Sequence, residues 1–339
     1  MDTVVNTNMR NIVVIGASAG GIETLRALFS RLPAVSGASY FVVQHMAPHY
    51  ASEMDRILQK TTAMQVAFAR DGQRIMPDTV YLAPPDRHLA LEAGHIRVTR
   101  GPRECRARPA VDVLFRSAAL AFGPRVIGIV LTGALDDGTA GLWQIKDRKG
   151  LAFVQDPEEA LYNSMPESAI EHVDVDCIGT IDSLAAEVVR HIAEAEVLPV
   201  LDAPRPEQLA ENAIALEGNG MQAGIMNLGH SSKYTCPECH GVLAQIQEGS
   251  LVRFRCHTGH AYSPLSLQAE VITAIDESLW NTLRAIEERI LLLRQRANMA
   301  GAGGDLDEAS QLRAKADMVE ERCQPLRELV LDSDFFSAD

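Results

Sequence analysis

From residue 11 to residue 195, short continuous apolar runs alternate with segments whose apolar positions recur every three or four residues. The first run, Ile12 to Ile15, reads as a strand and leads straight into Gly16-Ala17-Ser18-Ala19-Gly20-Gly21. A helix follows, with Ile22, Leu25, Leu28, Phe29 and Leu32 on one face and Pro33 as its stop. Tyr40 to Val43 is a second buried strand, ending at Gln44-His45. Gln65–Ala69, Thr79–Leu82, His88–Glu92 and His95–Thr99 are shorter extended segments, the last two forming a hairpin around Ala93-Gly94. After a helix over about 110–122, Val126 to Leu131 is a third continuous strand. It runs into Thr132-Gly133-Ala134-Leu135-Asp136-Asp137-Gly138 and a further helix. Leu151 to Val154 adds a strand, and 164–171 and 181–195 read as helices.

Apolar strands joined by helices predict a parallel sheet buried on both faces. Right-handed crossovers then bring the strand-to-helix loops to one edge of that sheet. The expected fold class is α/β, a doubly wound, Rossmann-like and mostly parallel sheet over 11–195, after a polar lead-in at 1–10. Beyond it the pattern changes. Residues 196–230, with Pro199, Pro204 and Pro206, read as a linker, and 231–263 form a small module rich in Cys and His. From Ser263-Pro264 onward, Ile272, Ile275, Leu279, Leu283, Ile286, Ile290 and Leu293 step by three and four. After the breaker Gly301-Ala302-Gly303-Gly304, Leu312, Ala316, Val319, Cys323, Leu326 and Val330 repeat that rhythm. A C-terminal helical hairpin over 264–332 is expected.

Thirty-one Lys and Arg stand against 45 Asp and Glu in 339 residues, a net charge of −14. That balance argues against nucleic acid as a partner, since such binding rests on basic surface. No apolar run is long enough for a membrane span, and the N-terminus lacks the features of a signal peptide. The six Cys lie at 105, 177, 236, 239, 256 and 323, three of them crowded together. A cytoplasmic, reduced protein with one metal-type cluster is expected.

The chemistry gathers at the strand ends. Gly16-Ala17-Ser18-Ala19-Gly20 fits the G-x-S-x-G nucleophile elbow and lies between a strand and a helix, as that pattern requires. Alone, Ser18 would read rather as the N-cap of an ordinary tight turn. His45 at the end of the second strand changes this, because two neighbouring strand ends would then offer a nucleophile and a general base. His49, in the Pro48-His49-Tyr50 loop, is the competing base. Asp136 and Asp137 follow the third strand and supply a carboxylate to orient that base. The free N–H groups of the first helix suit a developing oxyanion.

Several linked segments carry a resemblance. They are Ile15 through Gly21, Val43-Gln44-His45-Met46, Tyr81 through His88, Pro109 through Phe115, and Leu131 through Gly138. Over about 11–190 the chain resembles the catalytic domain of the CheB-type chemotaxis protein-glutamate methylesterases. The resemblance implies hydrolysis of glutamyl methyl esters, and in some cases glutamine deamidation, on a methylated chemoreceptor or similar signalling protein. It implies Ser18 as nucleophile, His45 as base and Asp137, which directly precedes the Gly, as acid, with no cofactor for catalysis. It also suggests Met165-Pro166 as a wall of the substrate cleft. A receiver domain, usual in that family, is not expected ahead of the first strand, and Ala19 and Ala134-Leu135 depart from the family's common residues. The competing function is a signalling adaptor on the same fold, docking through its tail with little or no esterase activity.

Cys236-Pro237-Glu238-Cys239 is a tight knuckle, and Cys256-His257-Thr258-Gly259-His260 follows within a span suited to tetrahedral zinc. Cys236, Cys239, Cys256 and His260 are the expected ligands of a structural zinc, with His257 the alternative fourth ligand and His240 a weaker one. The sequence carries no signal for the oligomeric state.

Overall fold

The computed structural model describes residues 9–47, 52–194, 198–217, 224–225, 228–332 and 334–336. It divides into two compact units, Met1–Ser266 and Leu267–Asp339.

The first unit is built on the expected sheet. Its strands are β1 (Ile12–Ala17), β2 (Ser39–Gln44), β3 (Gln65–Phe68), β4 (Thr79–Leu82), and, after the hairpin β5 (His88–Glu92) and β6 (His95–Thr99), β7 (Val126–Val130), β8 (Leu151–Gln155) and β9 (Cys177–Gly179). The seven-stranded order is β3-β4-β2-β1-β7-β8-β9, and every pairing in it is parallel. The chain lays strands on one side of β1, then crosses back to place β7 on the other. That reversal is a topological switch point, where open α/β sheets place their sites.

Alternation along β1 sends its side chains to two cores. Val13, Ile15 and Ala17 join α1 (Gly21–Phe29), α2 (Met54–Gln59) and α6 (Ile181–Ala193) on one face. Ile12 and Val14 join α3 (Val111–Phe122), α4 (Thr139–Asp147) and α5 (Ser164–His172) on the other. Each fully buried Val, Leu, Ile or Phe stabilises the fold by about 1.5–3 kcal/mol.

The 196–230 segment differs from the expectation of a plain linker. Among its described residues is α7 (Pro206–Glu217), which packs on α3 through Ala215, Ala110 and Val113. Next comes an antiparallel four-stranded sheet of β10 (His230–Thr235), β11 (Val242–Glu248), β12 (Leu251–Cys256) and β13 (Ala261–Tyr262). It is joined to the α/β domain by buried ion pairs. Glu104 pairs with Arg116 (2.6 Å) and Arg255 (3.1 Å), while Glu211 pairs with Arg253 (2.7 Å) and Arg255 (3.3 Å).

The second unit is a helical hairpin of α8 (Pro264–Ala302) and α9 (Leu306–Leu331). Leu283 meets Cys323 and Val330, and Ile290 and Leu293 meet Ala316, so the helices run antiparallel. The Asp305 side chain caps α9 by accepting from the Glu308 N–H at 2.9 Å. No helix among the described residues is long and apolar enough to cross a membrane.

Candidate active site

Strand register places the first two site residues. β1 and β2 pair with Ala17 opposite Gln44, so the next residue on each strand, Ser18 and His45, leaves the sheet at adjacent positions. The Ser18 N–H donates to Thr132 O (2.9 Å) and the His45 N–H to Ala17 O (3.1 Å), which extends the ladder past the strand ends. Gln44 fastens the pair, its Nε2 donating to the carbonyls of both Ser18 (2.7 Å) and His45 (3.0 Å). Gly20 takes a left-handed φ of 76°, a turn that a Cβ would strain. Gly133 lets the next loop close in, since a Cβ there would lie 2.8 Å from Ser18 Cβ and 2.0 Å from Met165 Sδ.

His45 bridges the other two residues. Its Nδ1 lies 3.1 Å from Ser18 Oγ and its Nε2 lies 2.8 Å from Asp137 Oδ2. With the proton on Nε2, held by Asp137, Nδ1 is free to accept from the Ser18 hydroxyl. The nitrogens are used in the opposite sense from the serine-protease template, where Nε2 faces the serine.

Asp137 is buried and saturated. Its Oδ2 also accepts the Val111 N–H (2.7 Å) and its Oδ1 the Asp112 N–H (3.0 Å), so it caps α3, which has no side-chain cap of its own. Asp112 returns the arrangement by accepting the N–H groups of Gly138 (3.1 Å) and Gly141 (2.6 Å) at the start of α4. Burial, with the Asp137 charge beside it, pushes the Asp112 carboxyl up to about 7. Asp112 had no role in the sequence reading; its position three residues past the Pro of the Pro109–Phe115 segment was the available signal.

Asp136 turns away from His45 and accepts a hydrogen bond from Ser263 Oγ at 2.8 Å. Burial raises its carboxyl from the ordinary 3.8 to about 6, the Ser263 bond opposing and the Asp137 charge adding. A raised folded-state value favours the protonated native form, so stability present below the unfolded value is lost as pH rises toward 6. Asp136→Asn removes that slope. Its unfolding free energy should therefore gain on the native protein between about pH 4 and 6, by up to about 2 kcal/mol. Parallel denaturant titrations across that range check this, and equal slopes would refute it.

Ser18, His45 and Asp137 open into a cleft of about 480 Å³. Much of its wall is one segment, with Arg103, Cys105, Arg106, Arg108 and Pro109 facing the site, and Ala134 and Leu135 close the other side. Met165 and Pro166 do not form a wall: both are buried, with Met165 packed beneath Gly133. His49 lies outside the described residues.

Residues 13–188 match the CheB methylesterase family. The chain belongs to that family. A Leptospira interrogans protein, provisionally named a protein-glutamate methylesterase/protein-glutamine glutaminase, is 38% identical over 179 residues, covering 52% of this chain and 93% of that protein. The Yersinia pestis protein-glutamate methylesterase/protein-glutamine glutaminase is 34% identical over 193 residues, covering 56% of this chain and 55% of its relative. Among solved structures, the Thermotoga maritima CheB methylesterase catalytic domain superposes with a TM-score of 0.52 at 33% identity, covering 53% of this chain and 97% of that one. The family match thus accounts for the α/β domain and stops short of the Cys/His module.

In that module of this CheB methylesterase family member, the ligand atoms of Cys236, Cys239, Cys256 and His260 all lie within 4.8 Å of one another. Cys239 and Cys256 Sγ are 3.5 Å apart, and His260 Nδ1 is 3.6 Å from Cys236 Sγ and 3.5 Å from Cys256 Sγ. The cysteines are not disulfide-bonded. Three thiols and an imidazole at these separations suit a tetrahedral metal. His257 is exposed and turned toward Gly241, outside the group. The Glu104–Arg116–Glu211–Arg253–Arg255 cluster escaped the sequence reading, since nothing in spacing marks residues that meet across four segments.

Proposed function

We propose that this protein hydrolyses glutamyl γ-methyl esters on chemoreceptor-type signalling proteins, through Ser18 as nucleophile, His45 as general base and Asp137 as the acid that orients it. The contact that carries the reading is the two-sided hydrogen bonding of His45, to Ser18 Oγ at 3.1 Å and Asp137 Oδ2 at 2.8 Å. An adaptor would have no use for it.

His45 Nδ1 takes the Ser18 hydroxyl proton as Oγ attacks the ester carbonyl, and Asp137 supports the resulting imidazolium. The first-turn N–H groups of α1, which no side chain caps, stabilise the oxyanion. Collapse returns the proton to the methoxide, and methanol leaves a glutamyl ester on Ser18. Water then gives a proton to His45 and attacks that ester, releasing glutamate and regenerating the Ser18 hydroxyl. A glutamine side chain enters the same sequence with ammonia as the first leaving group. The reaction needs no cofactor.

The test is methanol release from a methylated receptor, with the Ser18→Ala protein as blank; release no greater than the blank would overturn the reading.

Cys236, Cys239, Cys256 and His260 are proposed to hold a structural zinc, which would tie the ends of β10 and β12 together and leave no coordination position for substrate. About one zinc per full-length chain is expected, and none in Cys239→Ser, by elemental analysis of purified protein. A metal-free native protein would remove the site.

A further inference from the structure

The wall of the cleft is an irregular segment rather than a strand or helix. Cys105 and Arg106 there adopt φ of 46° and 67°, left-handed conformations that cost non-glycine residues about 1–2 kcal/mol each and persist only where the surroundings impose them. They are the two central residues of a tight turn closed by Glu104 and Ala107, each of whose N–H groups donates to the other's carbonyl (3.2 and 2.9 Å), and the Cys/His module braces that turn. The Cys105 N–H donates to Ala261 O at 2.8 Å and the Ala261 N–H to Arg103 O at 3.2 Å, so β13 receives the wall segment as a short parallel bridge. Glu104, between the two bonded residues, is buried and paired with Arg255. Arg255 in turn donates to Gly259 O at 2.8 Å. Gly259 presses on the base of the segment, where an added Cβ would lie 2.7 Å from Pro102.

These contacts come from one turn, Cys256–His260, and the residues directly before and after it, and the two ends of that turn are metal-type ligands. The Cys256 N–H donates to His260 O at 3.0 Å, and the Gly259 N–H to Cys256 O at 2.9 Å. Ser18, His45 and Asp137 are held instead by β1, β2 and the first turn of α3.

We propose that the Cys256–His260 turn, through Arg255 and Ala261 on either side of it, positions the substrate wall: with its ligand ends tied by a metal, it holds Arg103–Ala107 in the shape that receives a protein substrate, without taking part in the triad's chemistry. Arg255 and Ala261 are the positioning residues. Metal occupancy would thereby set affinity for the glutamyl ester in its protein setting. The kinetic part rests on the esterase reading, and the structural part does not.

The experiment uses the full chain before and after removal of zinc by a chelator, then with zinc restored. Amide hydrogen exchange should show Cys105 and its neighbours losing protection without metal and regaining it with zinc. In the same samples KM for a methylated receptor should rise about tenfold with kcat within about twofold, while p-nitrophenyl acetate, too small to need the wall, is turned over as before. Ala261→Pro keeps all four ligands but lacks the N–H that reaches Arg103, so it should show the metal-free exchange pattern with zinc bound. The native chain's metal-removal arm does not depend on that variant folding. Unchanged protection over 103–107 without metal would overturn the proposal, as would a fall in kcat for both esters with KM unmoved. Absence of turnover of either ester would instead sink the esterase reading and leave the exchange arm to decide the positioning role.

Discussion

Ser18→Ala is expected to lower methanol release by about 10⁵–10⁶-fold and Asp137→Asn by about 10⁴-fold, the grading found when serine-hydrolase triads are dismantled. The first loses the attacking atom. The second is informative because both Asp137 oxygens already accept backbone N–H groups, Oδ2 from Val111 and Oδ1 from Asp112. An asparagine must turn its NH₂ toward one of those donors. If it faces Val111, it also faces His45 Nε2 and favours the tautomer that carries its proton on Nδ1, which can no longer accept from Ser18. In either orientation a buried backbone donor loses its acceptor, at about 1–3 kcal/mol. Steady-state methanol release alongside thermal unfolding separates the two effects. An Asp137→Asn protein within tenfold of the native rate would exclude Asp137 as the acid.

Glu211→Ala is expected to destabilise the first unit by about 3–5 kcal/mol, the cost of stripping one partner from a buried ionic group. Burial alone would raise the Glu211 carboxyl, but the guanidiniums of Arg253, Arg255 and Arg116 outweigh it and hold the group well below the ordinary carboxylate range. Its stabilisation is accordingly present above that range and lost as pH falls through it. Without Glu211, three buried arginines would share Glu104 and the partly covered Glu248. Thermal melts at neutral pH should show a drop of roughly 10 °C. A shift of only a degree or two would mean that the 196–230 segment behaves as the plain linker its composition suggests.

That contrast explains what the sequence made legible. β1, β2 and β7 are apolar on both faces, so an uninterrupted run announced each one, and the hairpin of β5 and β6 showed itself at Ala93-Gly94. The triad was readable because parallel strands deliver their following residues to one edge. α7 was not, for a physical reason. Its buried positions, Gln208, Glu211, Ile214 and Ala215, keep helical spacing, yet the first two are polar and Leu209 is exposed. Hydrophobic periodicity is hard to register on a face whose first half is polar, with Glu211 set against charges from β12 and α3. The short edge strand β9, three residues long, and the six-residue α2 carried too few positions for a period to emerge. The strand order was also hidden, because pairing across β1 depends on crossovers that leave no local mark.

The mutual capping of Asp137 and Asp112 has a bearing on how such a protein could decay. On the proposed mechanism the side chains of Ser18 and His45 serve the reaction alone, whereas Asp137 also closes the start of α3. A descendant released from catalytic selection could drift at the nucleophile and base with little harm to its fold, but not at the acid. Intact Asp137 in a divergent copy is therefore weak testimony that the copy still works, and Ser18 with His45 is the better witness. Melting temperatures carry the point: Ser18→Ala should lie close to the native protein, and Asp137→Ala well below it.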